Sequence, residues 1–551
     1  MALRHVNAVI IGAGAGGGVV ARELSAAGLS VALLERGKWY SAADCRKDDL
    51  FNQRTQALGA KFGPDDERNP RVLVDGQGKE AIVVPSDGGY SNNAACVGGG
   101  TFSYGAMAWR FMEKDFRMRS TYGAVNGSTL EDWPIGYADL EPYYERAEWE
   151  MGVSGDDSGN PFKGPRRKPL PMPPLAPNKE HQVLLPAAQR LGLHPYHIPM
   201  LRNTVPYNGR RACMRCRWCV GFACELSART GTHNTVIPTA LATGNCELRT
   251  DCMTKQILLD GRGRATGVAY FDANDRLQEQ TADLIIVSGG AIESARLLLN
   301  TRHKQYPDGL GNRYGWVGRN LQSHSYAGAT GLFDFDTYDD LGPGASIAVS
   351  DYNHGNPGLA GGAMLANEFI RLPYQFMGQV PPWVPRWGKE HKEFVREAYR
   401  RTIAIMGPVQ EMPLADARVQ LDPKVRDHWG IPVARLSGGR HTHSIEIGRY
   451  IAGKAEGWLK EAGAVQTWKR APAKTLSGGQ HQAGTCRMGN DPKTSVVDRD
   501  CRVHDVDNVY VIDASVHVTN GGFNPALTIL ANAYRASERL LQGWKGSKVR
   551  S

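Results

Sequence analysis

No apolar run in this chain of 551 residues approaches the ~20 needed for a membrane-spanning helix, so no transmembrane segment is expected. The first strand is expected to begin at about residue 7, which leaves no room for a secretory signal ahead of it. A cytoplasmic protein is therefore expected, the alternative being periplasmic export on a signal-bearing partner subunit. Basic residues are dispersed apart from short clusters such as Arg166-Arg167-Lys168 and Arg210-Arg211, and aromatic residues do not interleave with them. That pattern argues against a nucleic-acid partner, although the net charge is +9. The positive balance permits acidic partners or anionic substrates without demanding them. There is no internal repeat, and no C-x4-C follows the first glycine motif, which argues against a disulfide reductase. The length exceeds one ordinary core and suggests two domains.

Residues 7–37 carry the strongest signal. The apolar run Ala8-Val9-Ile10-Ile11 leads into Gly12, Gly14 and Gly17 at G-x-G-x-x-G spacing, then a helix, then a second strand from Val31 to Leu34. The first glycine permits a tight turn, the second lets the backbone approach a pyrophosphate, and the third allows close helix–strand packing. The helix N-terminus offers free N–H groups and its dipole to the phosphates. Glu35, followed by Arg36, stands near the offset at which an acid binds a ribose hydroxyl. This unit predicts a dinucleotide site without separating NAD from FAD.

The rest of the dinucleotide domain is expected in pieces: 1–40, 91–160, 225–324 and 476–551. A second glycine-rich segment, Val97-Gly98-Gly99-Gly100-Thr101, follows, and the strand–glycine–helix junction at Ser288-Gly289-Gly290-Ala291 suits lying near a phosphate. Residues 325–475, with parts of 41–90 and 161–210, mix strands, aromatics and prolines and read as a substrate domain. A cysteine-rich insert spans 211–224 and holds Cys213, Cys216, Cys219 and Cys224. Thiolates are soft donors that suit an Fe–S cluster or zinc, and free or disulfide-bonded cysteines remain the alternative. As an Fe–S site, these four would be the metal ligands.

Six ordered motifs together resemble the glucose–methanol–choline (GMC) flavin oxidoreductases. They are the N-terminal glycine motif, Val97–Thr101, Asp132-Trp-Pro-Ile with Leu140-Glu-Pro-Tyr-Tyr144, Ser288–Ser294, Val317-Gly-Arg-Asn-Leu-Gln-Ser-His324, and the block from His481 to Asn524. Ala-Trp-Arg-Phe at 108–111 and the cysteine insert are similar to the bacterial gluconate and sugar dehydrogenase branch, whose members hold an iron–sulfur cluster in an insert at this point.

The resemblance implies an α/β fold: a doubly wound, Rossmann-like FAD-binding domain and a substrate domain built on an antiparallel sheet. It implies that His481 takes the hydroxyl proton of an alcohol and that Asn524 holds the same oxygen. A neutral imidazole suits the first role and an amide only the second. Gly99, Gly100, Asp513, Ala514, Pro525 and Thr528 are implied flavin contacts. So is Ser103, which stands where several relatives carry a flavin-linking histidine. Serine cannot make that bond, so FAD should be noncovalent.

The activity implied is oxidation of a CH–OH group of a sugar, glycoside or polyol, with electrons passed to an external acceptor protein or small subunit. An oxidase using O₂ and a catalytically silent flavin-binding subunit are the alternatives.

Overall fold

The computed structural model describes residues 4–54, 62–87, 89–91, 94–476 and 479–548. Parts of the stretch 41–90 therefore lie outside the described residues. The run Val6–Ile11 forms a strand that is almost wholly buried because it lies at the centre of a parallel sheet. A strand covered on both faces reads as a continuous apolar run rather than an alternating one.

Its neighbours are Val31–Leu34, then Cys246–Arg249, on one side and Leu277–Val287 on the other, all parallel. Val509–Val511 adds a further parallel strand beside Leu277–Val287, so the C-terminal block returns to the N-terminal unit. The long strand Leu277–Val287 is shared. Its second half lies in the parallel sheet, and its first half pairs antiparallel with Ala265–Phe271, which in turn pairs with Met253–Leu259. The helix Ala15–Ala26 packs against the C-terminal helix Ala526–Lys548 and against Val236–Ala242.

A second sheet of seven strands is antiparallel throughout and runs from Gln466–Arg470 through Tyr326–Leu332 and Thr402–Pro408 to Ser154–Asp156. The helix Thr442–Glu461 covers it with Ile447, Ile451, Ala455, Trp458 and Leu459, spaced to form one apolar stripe. A small third sheet joins Arg71–Val74 and Glu80–Val83 to the hairpin Arg418–Arg426 and Pro432–Ser437. The chain is thus an α/β protein with a doubly wound nucleotide sheet and a substrate region on an antiparallel sheet. Among the described residues no helix is long and apolar enough to cross a membrane.

Candidate active site

One large cavity of about 890 Å³ lies between the nucleotide sheet and the antiparallel sheet. At the nucleotide end, Gly12 and Gly14 of the first turn line it with Glu35 and Arg36 from the tip of the second strand. Gly99, Gly100 and Ser103 form part of one wall, and Asp513 and Ala514 part of another. Pro525 lines it beside the start of the helix Ala526–Lys548.

The glycines differ in what they do. A Cβ on Gly17 would meet the Gly12 carbonyl at 1.9 Å, so that position is dictated by packing. A Cβ on Gly14, Gly100 or Gly290 would meet no protein atom within 4 Å, and all three line the cavity. These positions leave room where a diphosphate must approach backbone N–H groups.

Glu35 is 6% exposed, and its two oxygens accept the N–H groups of Ala13 and Gly37, each at 2.9 Å. Burial pushes its carboxyl pKa up. A carboxylate has about four lone-pair sites, so this one can still accept a hydroxyl proton from the cavity. Arg36 turns toward Glu293, which also pairs with Arg71 at 2.6 Å and Arg296 at 3.2 Å. Burial opposes ionisation of Glu293, but the guanidiniums of Arg36, Arg71 and Arg296 hold its carboxyl well below the usual range. Arg71 belongs to no motif, and Arg296, on the helix after the Ser288–Ala291 junction, carries no spacing signal that marks its pairing with Glu293.

At the other end of the cavity His481 and Asn524 come together although 43 residues separate them. Asn524 Nδ2 lies 3.4 Å from His481 Nε2 and donates to the Tyr326 hydroxyl at 3.0 Å. Asn524 Oδ1 is buried without a hydrogen-bond partner. His481 adopts a left-handed backbone, φ +68°, held where Asn520 Nδ2 donates to its carbonyl at 2.8 Å. A non-glycine residue with such a φ signals a position that its surroundings enforce.

Hydrogen-bond partners fix the proton on His481. His324 Nε2 is 2.9 Å from the Gly521 carbonyl, which can only accept, so this nitrogen carries the hydrogen. Burial lowers the His324 pKa, so the ring is neutral and its Nδ1 is an acceptor. His481 Nδ1 lies 2.9 Å from that acceptor and must donate to it. Burial, and then the neighbouring His324, pushes the His481 pKa well below its ordinary value. His481 is therefore neutral, with the lone pair of Nε2 directed toward Asn524 and the cavity. His324 lay within a motif quoted for the family resemblance, but no spacing rule revealed its contact with His481.

His517, wholly buried, bonds Asn520 Oδ1 at 3.1 Å and packs on Trp133, and His504 bonds Ser495. Neither lines the cavity.

Two expectations need correction. Thr528 does not line the cavity: it is fully buried on the C-terminal helix, and its hydroxyl bonds the Tyr144 hydroxyl at 2.8 Å. Pro525, Ala526 and Ile529 present the cavity wall there instead.

The cysteine insert does not assemble as a metal centre. Among the described residues no three or more His, Cys, Asp or Glu are grouped to hold a metal. Arg202, 2% exposed, donates to Cys213 Sγ at 3.5 Å and Cys219 Sγ at 2.9 Å. Cys216 is exposed, and Cys224 Sγ accepts the backbone N–H of Arg229 at 3.5 Å. The loop still touches the site: the Gly221 N–H donates to the Ser103 carbonyl at 2.7 Å, and Val220 lines the cavity.

Comparison with known proteins agrees with this geometry. Residues 90–326 match the N-terminal domain of the GMC oxidoreductases and residues 413–533 the C-terminal domain. The chain is 31% identical over 97% of its length to 2-methyl-1,2-propanediol dehydrogenase of Mycolicibacterium austroafricanum, covering 95% of that protein. It is 26% identical to the gluconate 2-dehydrogenase flavoprotein of Pantoea cypripedii over 98% of this chain and 94% of that one. The crystal structure of pyridoxine 4-oxidase from Mesorbium loti shares the fold, with a TM-score of 0.64 at 16% identity, covering 97% of this chain and 98% of that one. The chain belongs to the GMC oxidoreductase family.

Proposed function

We propose that this protein binds FAD without a covalent bond and oxidises a CH–OH group of a sugar, glycoside or polyol, delivering electrons to an external acceptor. One observation carries the reading: a buried histidine held neutral, with its accepting nitrogen beside an amide on the wall of a cavity large enough for a dinucleotide and a small substrate.

The residues present fit FAD. The open positions at Gly14, Gly100 and Gly290 would admit the diphosphate, and Glu35 would bind a ribose hydroxyl. Ser103 lacks the imidazole through which the covalently linked relatives attach the flavin, which supports noncovalent binding. When bound, the flavin supplies the hydride acceptor for the carbinol carbon.

The chain's own residues do the rest. A substrate hydroxyl placed on the cavity side of His481 Nε2 and Asn524 Nδ2, which lie 3.4 Å apart, would donate to the first and accept from the second. As the C–H bond is broken, the hydroxyl proton passes to His481 Nε2. Asn524 has no basic nitrogen, so it orients the oxygen and cannot remove the proton. His324 fixes the tautomer that makes Nε2 the acceptor.

The names of the relatives, a propanediol dehydrogenase and a gluconate dehydrogenase flavoprotein, support a hydroxylated substrate. The term flavoprotein also fits an enzyme that works with a separate electron-accepting subunit.

The test is a panel of alcohols and sugars offered with an artificial acceptor and with O₂. Reduction of the acceptor is the expected result, and rapid turnover with O₂ alone would replace the dehydrogenase reading with the oxidase one. The substitution His481→Ala should lower kcat by roughly 10²–10⁴-fold, the range for a positioned general base, with the flavin spectrum retained. A near-wild-type rate would overturn the assignment of the base.

A further inference from the structure

Three polar side chains meet on one patch of the cavity wall, and the proton transfer described above uses two of them. Tyr326 opens the strand Tyr326–Leu332, two residues after His324, and lines the cavity with His481 and Asn524. Its ring centre is 6.1 Å from that of His481. Its hydroxyl oxygen is 3.0 Å from Asn524 Nδ2, which is itself 3.4 Å from His481 Nε2.

The proton on His481 orients this amide. His481 Nε2 is an acceptor, so an amide oxygen in the place of Nδ2 would set two lone pairs against each other. The NH₂ group therefore stands there, with one hydrogen donated to the Tyr326 oxygen and the other left for the substrate. The Tyr326 hydroxyl is the acceptor in that bond, and among the described residues it makes no other hydrogen bond. Its own hydrogen has no protein acceptor. Burial raises the phenol pKa, with the Glu368 charge adding to the rise and the Arg54 charge opposing it, so the hydrogen is retained at working pH.

We propose that Tyr326 is a third catalytic residue, its O–H donating to the same substrate oxygen that Asn524 holds. An alcohol oxygen carries one hydrogen and two lone pairs. His481 Nε2 takes the hydrogen, and the free Asn524 N–H fills one lone pair. The second lone pair is left for the Tyr326 O–H. As the O–H and C–H bonds break and the C=O bond forms, electron density that builds on the oxygen faces two fixed donors instead of one. The assignment rests on the CH–OH reading above.

Steady-state rates with an artificial acceptor test it, on the alcohol of the panel that the holoenzyme turns over fastest. Tyr326→Phe keeps the ring and removes the oxygen. With flavin content unchanged it should lower kcat by roughly 10–10³-fold, the scale of losing one donor to a developing oxyanion. A tyrosine that only steered Asn524 would have no effect once the amide was gone. Tyr326→Phe should instead slow Asn524→Ala by at least about a further fivefold. Tetrafluorotyrosine at position 326 separates the two hydrogen bonds of the hydroxyl. Its more acidic phenol ionises where the wild type keeps its hydrogen, and the phenolate still accepts from Asn524 but cannot donate. In that enzyme kcat should fall with rising pH where the wild type is level, and His481, already neutral, adds no step there.

A fall below about tenfold in Tyr326→Phe, no added loss in the Asn524→Ala background, or a level profile with tetrafluorotyrosine would each overturn the assignment. All three leave the CH–OH reading intact. Flavin-loaded enzyme that oxidises no alcohol would overturn both readings.

Discussion

His324→Phe is the most informative single substitution in the catalytic apparatus. The ring space stays filled, but the two nitrogens that link the Gly521 carbonyl to His481 are removed. His481 Nδ1–H then becomes a buried donor without an acceptor, which costs about 1–3 kcal/mol. The imidazole can avoid that cost by moving its hydrogen to Nε2, which faces the cavity. In that tautomer the nitrogen facing the substrate is a donor and cannot take the hydroxyl proton.

A shift of about 1–3 kcal/mol against the productive tautomer corresponds to roughly a 5- to 150-fold fall in kcat/KM, since about 1.4 kcal/mol is tenfold. His324→Gln, whose amide can both donate and accept, should recover part of the loss. The assay is steady-state kinetics at neutral pH, with flavin content measured to confirm that the fold and cofactor survive.

The pH profile adds a second readout. The folded-state pKa of His481 is lowered by burial, so the base stays neutral from neutral pH down past its ordinary value near 6.5. The kcat/KM contribution from this group should therefore be level at and above pH 6.5 and should fall only in stronger acid. A Phe variant within twofold of wild type, or a wild-type rate that already halves near pH 6.5, would refute the tautomer argument.

Two further outcomes follow from the cofactor end. Acid precipitation should release yellow flavin into the supernatant, because Ser103 cannot form a covalent link, and flavin retained in the pellet would contradict this. Gly14→Ala apoprotein should unfold with an unchanged denaturant midpoint, while the variant should bind FAD at least tenfold more weakly, since its methyl would project into open cavity. Gly17→Ala should instead lose stability outright, by about 1–3 kcal/mol or more, because its methyl would meet the Gly12 carbonyl at 1.9 Å.

The sequence alone determined the parts whose physics is local. The glycine spacing, the apolar strands before and after it and the acid at Glu35 specify a βαβ unit, because turn conformation, strand burial and phosphate approach all act within about thirty residues. The strand–glycine–helix junction at Ser288–Ala291 was legible for the same reason.

Tertiary structure decided what depends on groups distant in sequence. His324 approaches His481 from 157 residues away, and Glu368 pairs at 4.0 Å with Arg54, which lies in the excursion after the first βαβ unit. The family resemblance implied Thr528 as a flavin contact, yet packing of its helix against Tyr137–Met151 buries its hydroxyl on Tyr144. Four closely spaced cysteines suggested a metal, but spacing fixes neither side-chain direction nor what fills the centre. Here the buried Arg202, eleven residues before Cys213, donates to Cys213 and Cys219, and among the described residues the thiols do not group as metal ligands. Local pattern set which elements form, and only the packing of distant elements set which polar groups meet.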